Sequence, residues 1–300
     1  MLLQTIAMSS HVSSSPSGLI NLFKPPGMTA HDAVAVMRRR LGIKKIGHSG
    51  TLDPLACGVL PLAVGSATRL LPYLRSGKEY LAEIQFGLST TTGDAAGEVI
   101  ESRTCSFDRA DLEAILPRFI GAIQQRPPMV SAVHYQGKRL YELARAGVTI
   151  ADLPMRDVTI ESLELRSFTR GPRPRALLRI SCSAGTYVRS LAVDMGQALS
   201  VPASLSFLLR TRAGDFDLSH SQTFTDAISW TSEETYLAHM ARREATHEEA
   251  MAVSHGRPLE ARDEADLIRL HSGDRLLAIY ERRGIQLCPK TVFAATQENS

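Results

Sequence analysis

A single carboxylate, Asp53, stands in a glycine-rich stretch that runs from Gly47 to Gly58, and Pro54 follows it directly. Glycine gives a backbone conformations that other residues rarely adopt and lets a large ligand approach closely. A basic segment precedes this stretch, and an apolar run at residues 59–64 follows it. A lone acid on such a loop, beside positive charge, suits chemistry on a polyanion. The alternative is an Asx-turn, in which Asp53 only caps its own backbone.

Positive charge is concentrated in the first two thirds of the chain, although the net charge is only +3. Residues 24–48 hold six Lys or Arg against one Asp, and residues 118–175 hold ten against five acids. Residues 231–270 are acidic instead, with nine acids against five arginines. Basic patches are what phosphate backbones bind. Solvated charged faces would account equally well for any one of these runs.

Composition narrows the class of protein. The length of 300 residues fits about two domains of roughly 150 residues each. The four cysteines are widely spaced, with no CxxC pair and no Cys/His cluster, so neither a zinc site nor a disulfide framework is indicated. This usage fits a reducing cytoplasm, where we expect the protein. No apolar run approaches the ~18 residues of a transmembrane helix, and the first residues lack the basic start of a signal peptide.

Turn and capping residues indicate which elements position Asp53. A short strand is predicted at residues 18–23. Thr29, with Asp32 three residues later, forms a capping box that starts a helix, and Gly42 ends it. Strands dominate and no regular βαβ repeat is visible, so we predict an α+β fold with a large mixed, mainly antiparallel sheet flanked by helices. Further strands are predicted at residues 80–86, 156–168, 175–182 and 205–216, and further helices at 108–119 and 185–199.

The chain divides into three predicted parts. Residues 1–17 form a flexible tail, residues 18–222 a large domain, and residues 223–300 a small β-rich domain. Within the large domain, prolines and glycines surround a basic amphipathic segment at residues 125–150, and we expect this insertion to project from the sheet. The strands of the small domain are predicted at residues 253–257, 273–280 and 284–294.

Five blocks of the sequence, in the same order, resemble the TruB-type pseudouridine synthases. The resemblance implies the pseudouridine synthase fold for residues 18–222, a thumb at the insertion, and a PUA-like RNA-binding domain at residues 223–300. It also implies an isomerase that converts the T-loop uridine of tRNA to pseudouridine by breaking the N1–C1′ bond, rotating the uracil and joining C5 to C1′. The blocks are residues 24–29, 47–69, 78–87, 125–138 and 185–191.

The same resemblance implies a reaction without metal and without cofactor. The implied partner is the T-arm stem-loop of tRNA, whose folding the protein also assists, and the protein acts as a monomer with no protein partner. The target base lies inside a folded loop, so it has to be flipped out, at a cost of about a few kcal/mol. Recognition is then expected to rest on loop shape, stacking and 2′-hydroxyl contacts.

Three residues carry the chemistry in this resemblance. Asp53 is the essential carboxylate, and the sequence leaves open whether it attacks the sugar, attacks the base or assists elimination. Tyr80 stacks on the target uracil, where the alternative is a strand tyrosine in the core. Arg189 pairs with Asp53 and keeps it ionised, where the alternative is a surface arginine on the first turn of a helix.

Five further residues are implied to contact RNA. His48 occupies the space that the flipped base leaves, although a lone histidine is more often structural. Lys24 contacts a phosphate or supports the site, and Tyr187, in the last block, is another contact. Lys138 and Arg139 of the thumb reach phosphates, where the ordinary alternative is a solvated amphipathic helix.

Two other functions compete with this one. An RNA-binding or RNA-folding protein without catalysis would keep the basic surface and the thumb, but it need not keep Asp53, Tyr80 and Arg189 together. A glycosidase that hydrolyses a nucleoside bond would use two carboxylates, and the loop around Asp53 supplies one acid with no evident partner.

Overall fold

The computed structural model describes residues 17–131, 133–148, 150 and 153–293. Residues 1–16 of the predicted tail lie outside this range. The helices are α1 (Ala30–Leu41), α2 (Arg109–Ile115), α3 (Leu140–Arg145), α4 (Val188–Ala198), α5 (Glu233–Tyr236) and α6 (His247–Ser254). The first nine strands are β1 (Gly18–Lys24), β2 (Ile46–His48), β3 (Cys57–Val64), β4 (Lys78–Phe86), β5 (Leu88–Thr90), β6 (Val99–Ser102), β7 (Gly121–Gln125), β8 (His134–Tyr135) and β9 (Lys138–Arg139). The others are β10 (Arg156–Thr169), β11 (Arg175–Cys182), β12 (Ala203–Ala213), β13 (Phe216–Asp217), β14 (Ala241–Glu244), β15 (Leu259–Glu260), β16 (Leu267–Ser272), β17 (Arg275–Arg283) and β18 (Gln286–Val292).

A nine-stranded sheet organises the larger part of the described chain, with the order β1-β3-β12-β4-β11-β10-β7 and with β2 and β13 beside β3 and β12. Strand β12 pairs with β3 in parallel and with β4 antiparallel, and the other pairs in the sheet are antiparallel. The sheet is therefore mixed and mainly antiparallel. This confirms the predicted α+β fold class.

Most of the helix starts and ends that capping residues predict agree with the structure. Thr29 caps α1 through a capping box with Asp32, and Gly42 ends the helix in a left-handed conformation with φ 68°. Helix α4 begins at Val188, three residues later than predicted, because Gly185 has φ 86°, which no helical residue adopts. The predicted helix at 108–119 is α-helical only to residue 115, and a 3₁₀ turn that contains a proline completes it.

The C-terminal sheet has five strands in the order β14-β16-β17-β18-β15. The predicted strands at 273–280 and 284–294 correspond to β17 and β18, except that Ala294 lies outside the described residues. The prediction of a strand at 253–257 is wrong. Those residues are the end of α6 and the turn after it, because Thr246 and Glu249 form a capping box that starts a helix there.

The two sheets share apolar packing. Phe216, at the end of the large sheet, stacks on Tyr236 with ring centroids 3.6 Å apart and planes 6° apart. Leu19 and Val59 of the large sheet belong to the same buried cluster as Ile279 of the C-terminal sheet. The polypeptide is thus packed continuously across the predicted boundary at residue 222, and the division into domains stays a prediction. None of the described helices has the length and apolarity to cross a membrane.

Candidate active site

The loop that carries Asp53 joins β2 to β3 and is held from below by a buried arginine. Arg210 of β12 is 1% exposed. Its guanidinium donates to the carbonyl oxygens of Val59 at 2.7 Å, Gly50 at 3.1 Å and Thr51 at 3.3 Å. Three backbone acceptors on one rigid, planar donor group fix the loop against the centre of the sheet.

Gly58 lets the loop approach β12 this closely. It has φ 110°, and a Cβ atom there would lie 2.2 Å from the carbonyl oxygen of Arg210. No other residue type fits such a position without moving the backbone. The glycine-rich composition of the loop therefore has a steric cause at this residue.

Asp53 forms an ion pair with Arg189 of α4. The Nε atom of Arg189 lies 2.9 Å from the Asp53 carboxylate and 3.5 Å from the carboxylate of Asp94. The Nη1 and Nη2 atoms donate to the carbonyl oxygens of Thr92 and Val130 at 3.0 and 2.7 Å. Arg189 is only 4% exposed, so it is not the surface arginine of the alternative reading.

The contacts of Asp53 agree in part with an Asx-turn and in part with a functional carboxylate. The Asp53 carbonyl oxygen accepts from the Ala56 amide at 3.1 Å, which closes a turn. The carboxylate, however, points to Arg189 and retains 36% exposure. The side chain is therefore available to a ligand in the cleft rather than spent on capping its own backbone.

The electrostatics of Asp53 correct the sequence prediction in part. Burial raises the pKa of the Asp53 carboxyl above its ordinary value, and the neighbouring Asp94 raises it further. Arg189 acts in the opposite direction and lowers the same pKa, as predicted, but desolvation is the larger effect. Arg189 thus limits the rise in the pKa and aims the carboxylate.

Tyr80 lies beside Asp53 in a cleft of about 430 Å³ that Arg189 and Arg210 also line. It stands opposite Arg210 in the pairing of β4 with β12 and is 7% exposed. Burial raises the pKa of its phenol, so the ring is neutral at physiological pH. Tyr80 is therefore both a core tyrosine and a wall of the cleft.

Lys24 is fully buried and does not reach the surface. Its ammonium donates to the carbonyl oxygens of Pro25 and Met28, both at 2.8 Å, and so holds the turn that precedes α1. Burial lowers its pKa to about 8, while Asp53 nearby has the opposite effect. Of the two predicted roles, the geometry fits support of the site and not a phosphate contact.

The predicted RNA contacts are placed around the cleft in different ways. His48 packs edge-on against His31 of α1, with ring centroids 5.6 Å apart, and its Nδ1 atom is buried without a partner among the described residues. Burial lowers the pKa of His48. Tyr187 lines the cleft, and its backbone is clamped by Gln125, whose amide accepts at 2.9 Å and donates at 3.3 Å.

The insertion folds as the hairpin β8–β9 followed by α3, over the loop between β2 and β3 that carries Asp53 (the catalytic loop). Arg139 lies above the ring of Tyr141 and, with Asp53 and His31, lines a second cavity of about 470 Å³. Lys138 is exposed and does not line either cavity. The structure thus brings Arg139 to the site and leaves Lys138 on the outer side.

Sequence reasoning missed Asp94, Arg210 and Lys78. Asp94 is 5% exposed, and its carboxylate also accepts from the Thr92 hydroxyl at 2.6 Å. A polar, glycine-bounded loop at residues 91–97 was the available signal for it. Arg210 and Lys78 lie within strands and meet the loop only through the fold. Within the described ranges, no three metal-ligating side chains come together.

Known proteins resemble this chain over most of its length. Residues 38–188 match the family model of the TruB family pseudouridylate synthase N-terminal domain. The chain is 48% identical to tRNA pseudouridine synthase B of Moorella thermoacetica over 283 residues, which cover 87% of this chain and 92% of that protein. It is 54% identical to tRNA pseudouridine synthase B of Symbiobacterium thermophilum over 215 residues, which cover 71% and 72% of the two chains.

The fold is also similar to that of solved structures. The structure described as an H/ACA RNP bound to a substrate RNA containing 2′-deoxyuridine superposes with a TM-score of 0.69 and 26% identity. The match covers 93% of this chain and 86% of that one. On the sequence identity and the family model together, the chain belongs to the TruB family of pseudouridylate synthases.

Proposed function

We propose that the protein is an isomerase that converts the T-loop uridine of tRNA to pseudouridine. The observation that carries this proposal is the partly exposed Asp53 carboxylate, held by Arg189 at 2.9 Å in a cleft that Tyr80 also lines. The relatives named tRNA pseudouridine synthase B support tRNA as the substrate.

The reaction needs a bond broken, a base turned and a bond made in one place. The N1–C1′ bond of the uridine breaks, the uracil rotates while it is held in the cleft, and C5 bonds to C1′. Asp53 is the carboxylate that faces the sugar, and Arg189 fixes its direction. Tyr80 provides the apolar wall on which the uracil stacks.

RNA binding falls to the surfaces around the cleft. The thumb, residues 125–150, lies across the catalytic loop, and Arg139 and Lys138 are its phosphate contacts. His48 fills the space that the flipped base leaves, which offsets part of the cost of extracting it. We further propose that the protein acts on the T-arm as a monomer in the cytoplasm, and that residues 223–300 form an RNA-binding domain that supports tRNA folding.

A glycosidase is the competing enzyme, and the structure supplies the second carboxylate that it would need. Asp94 lies close to the same arginine as Asp53. It does not line the cleft, however, and its oxygens are engaged by Arg189, Thr92 and the Ala96 amide. A carboxylate so enclosed cannot activate a water on the far side of a sugar, so isomerisation is favoured over hydrolysis.

The Asp53→Asn variant tests the proposal, because it keeps the shape of the side chain and removes its charge. We expect pseudouridine formation in a T-arm transcript to be abolished, while the dissociation constant for the RNA changes by less than about tenfold, or 1.4 kcal/mol. Glu113→Gln, which neutralises an exposed acid of α2, is the matched control.

Two measurements distinguish isomerisation from hydrolysis. Tritium release from C5-labelled uridine reports isomerisation, and free uracil in solution reports hydrolysis. Substantial turnover by the Asn variant, with deamidation excluded by mass spectrometry, would remove Asp53 from the chemistry. RNA binding by the unsubstituted protein without tritium release would favour the purely RNA-binding alternative.

A further inference from the structure

Lys78 lies in the catalytic cleft with its charge uncompensated. It is the first residue of β4, is 8% exposed, and lines the same cleft as Asp53 and Tyr80. Side chains alternate along a strand, so Lys78 and Tyr80 lie on the same face of the sheet. Within the described part of the chain, its ammonium has neither a hydrogen-bond acceptor nor an ion-pair partner.

The other buried cations of the described residues all have acceptors. Lys24 and Arg210 donate to backbone carbonyl oxygens. Arg189 and Arg269 combine carbonyl oxygens with carboxylates. A buried charge that serves only the fold is paired in this way, because leaving it unpaired is costly. The Lys78 ammonium differs from these cations, because it is not among the enclosed side-chain atoms without a partner and therefore opens into the cleft, where a ligand can meet it.

Lys78 and Arg210 make one end of the cleft positive. A methyl group on Gly50 would lie 3.8 Å from Lys78 Nζ and 3.7 Å from Arg210 Nη1, so the two cationic groups approach the same point. The titratable groups that face Lys78 are Arg210 from β12, Cys182 from β11 and Tyr80 from β4 itself. Burial, and to a smaller extent Arg210, lowers the pKa of Lys78 to about 8.

The proposed reaction develops a negative charge on the departing base, which a cation in the same cleft would stabilise. When the N1–C1′ bond breaks, its electron pair stays on N1, and the uracil becomes an anion whose charge spreads over O2 and O4. The matching positive charge develops at C1′, on the side of Asp53. After rotation, C5 supplies the electron pair of the new bond to C1′, and the proton lost from C5 is balanced by one gained at N1.

Resting on the proposed function, we propose that Lys78 is a catalytic residue whose ammonium donates a hydrogen bond to a carbonyl oxygen of the departing uracil. The uracil is neutral in bound uridine and negative only once the bond breaks. The interaction is therefore stronger in the transition state than in the ground state, which is the condition for raising the rate. Lys78 keeps its proton throughout.

Single-turnover rates at saturating T-arm RNA test this role. Lys78→Met keeps the aliphatic stem and removes the charge. We expect its rate to fall by about 10²- to 10³-fold, with the RNA dissociation constant changed by less than about threefold. Lys78→Arg should recover part of the rate. Arg109→Met, which removes one positive charge from the exposed face of α2, is the control.

The pH profile distinguishes a catalytic from a structural role. With the unsubstituted protein, the rate should decline above about pH 8, as Lys78 loses its proton. In Lys78→Arg this decline should move to higher pH, because arginine stays protonated. In Lys78→Met it should be smaller, and what remains is the contribution of Lys24, whose pKa burial also lowers to about 8. A structural role would lower the rate by the same factor at every pH.

Sulfur substitution in the RNA identifies the contacted oxygen. Sulfur accepts hydrogen bonds weakly. Replacing the target uridine by 2-thiouridine or 4-thiouridine should therefore slow the unsubstituted protein by a larger factor than it slows Lys78→Met. A coupling between Lys78 and one of the two oxygens, obtained from the double-mutant cycle, would support direct contact. Equal sulfur effects in both proteins would contradict it.

Other outcomes would overturn this role of Lys78 or contradict the proposed function on which it rests. A Lys78→Met rate within about threefold of the unsubstituted protein overturns the inference. So does weaker RNA binding with a salt dependence reduced by about one unit, which would make Lys78 a phosphate contact. If Lys78→Met does not fold by circular dichroism, the pH profile of Lys78→Arg decides. Absence of pseudouridine formation by the unsubstituted protein contradicts the proposed function itself.

Discussion

Arg189 is shared by two carboxylates, so Asp53 does not have the guanidinium to itself. Both Asp53 and Asp94 face the same Nε atom, at 2.9 and 3.5 Å. One guanidinium thus faces two carboxylates in a place that is largely removed from water. Burial raises the pKa of Asp53 and Asp94 raises it further, while Arg189 lowers it. The two neighbours therefore act on Asp53 with opposite signs, which substitution can separate.

Arg189→Met should move the acid limb of the pH–rate profile to higher pH. The guanidinium lowers the pKa of Asp53, so its loss raises that pKa further, and the ionised form is lost at a higher pH as the solution is acidified. We also expect turnover to fall by at least about 10²-fold, because the carboxylate loses its orientation. Arg189→Lys should recover only part of this, since lysine lacks the planar fork. An unmoved acid limb with near-normal turnover would show that Arg189 does not act on Asp53.

Asp94→Asn should move the same limb in the other direction. Removing this negative charge takes away one of the causes that raise the pKa of Asp53, so the ionised form should persist to lower pH. Turnover at neutral pH should fall as well, because Arg189 loses one of the groups that hold it. Single-turnover rates between pH 4 and 8 would measure both effects. A limb that moves upward would contradict the assignment of Asp94.

At the scale of elements, the catalytic loop is anchored by a neighbouring strand in addition to the turn that Asp53 and Ala56 close. Arg210 of β12 holds three carbonyl oxygens of the loop and of β3, and Gly58 makes the close approach possible. The thumb adds a second constraint, because the Val130 carbonyl oxygen accepts from Arg189. Two arginines therefore assemble the site. Arg210 holds the catalytic loop to β12, and Arg189 joins the same loop to the thumb.

Gly58→Ala should destabilise the protein by at least about 3 kcal/mol, which is large for a single substitution. The added Cβ would lie 2.2 Å from a backbone oxygen, at a residue with φ 110°. Gly273→Ala is the matched control, because Gly273 also has a positive φ, 57°, but nothing lies within 4 Å of the added atom. The control should cost only about 1–2 kcal/mol. Urea unfolding would measure both, and equal losses would mean that the close approach is not strained.

The role of the thumb in RNA binding can be tested through the salt dependence of the RNA affinity. Replacing Lys138 and Arg139 together by alanine should weaken RNA binding and reduce the slope of log K against log salt by about one to two units, since each phosphate contact releases counterions. Arg103 and Arg109, replaced together, are the control, because they lie outside both basic segments. Unchanged affinity and slope in the thumb variant would contradict its role in binding. A loss confined to Arg139 would agree with its position beside the catalytic loop.

At the scale of the whole molecule, two sheets are joined by one buried cluster. Phe216 and Tyr236 stack within that cluster, which also contains Val59 of the large sheet and Ile279 of the C-terminal sheet. A boundary that is packed in this way resembles the interior of a domain more than a linker. The two sheets should therefore stabilise each other.

Phe216→Ala tests this coupling. We expect a loss of about 3–5 kcal/mol in the free energy of unfolding, as is typical when a buried phenylalanine is truncated. Calorimetry should show one transition for the unsubstituted protein and one, at lower temperature, for the variant. Two resolved transitions, of which the substitution moves only one, would mean that the sheets unfold independently.

Sequence reasoning succeeded where a structural cause is local. The capping box at Thr29, the strand at Tyr80 and the helix that carries Arg189 follow from neighbouring residues. Arg210 was missed because its partners are far away in the sequence and no local pattern distinguishes it from an ordinary strand arginine. The glycine-bounded loop around Asp94 does not reveal that Arg189 lies beside it. The wrong strand at residues 253–257 has a local cause, because the capping box of Thr246 and Glu249 starts a helix that continues to Ser254.

The position of β12 between β3 and β4 affects how the nascent chain folds. Arg210 and Val59 are 151 residues apart, so a ribosome completes the catalytic loop long before it makes the strand that anchors it. During that interval β3 and β4 lack the neighbour that separates them in the finished sheet, and unpaired edges of this kind invite wrong pairing. The reactive loop is therefore translated well before the strand that gives it its working geometry.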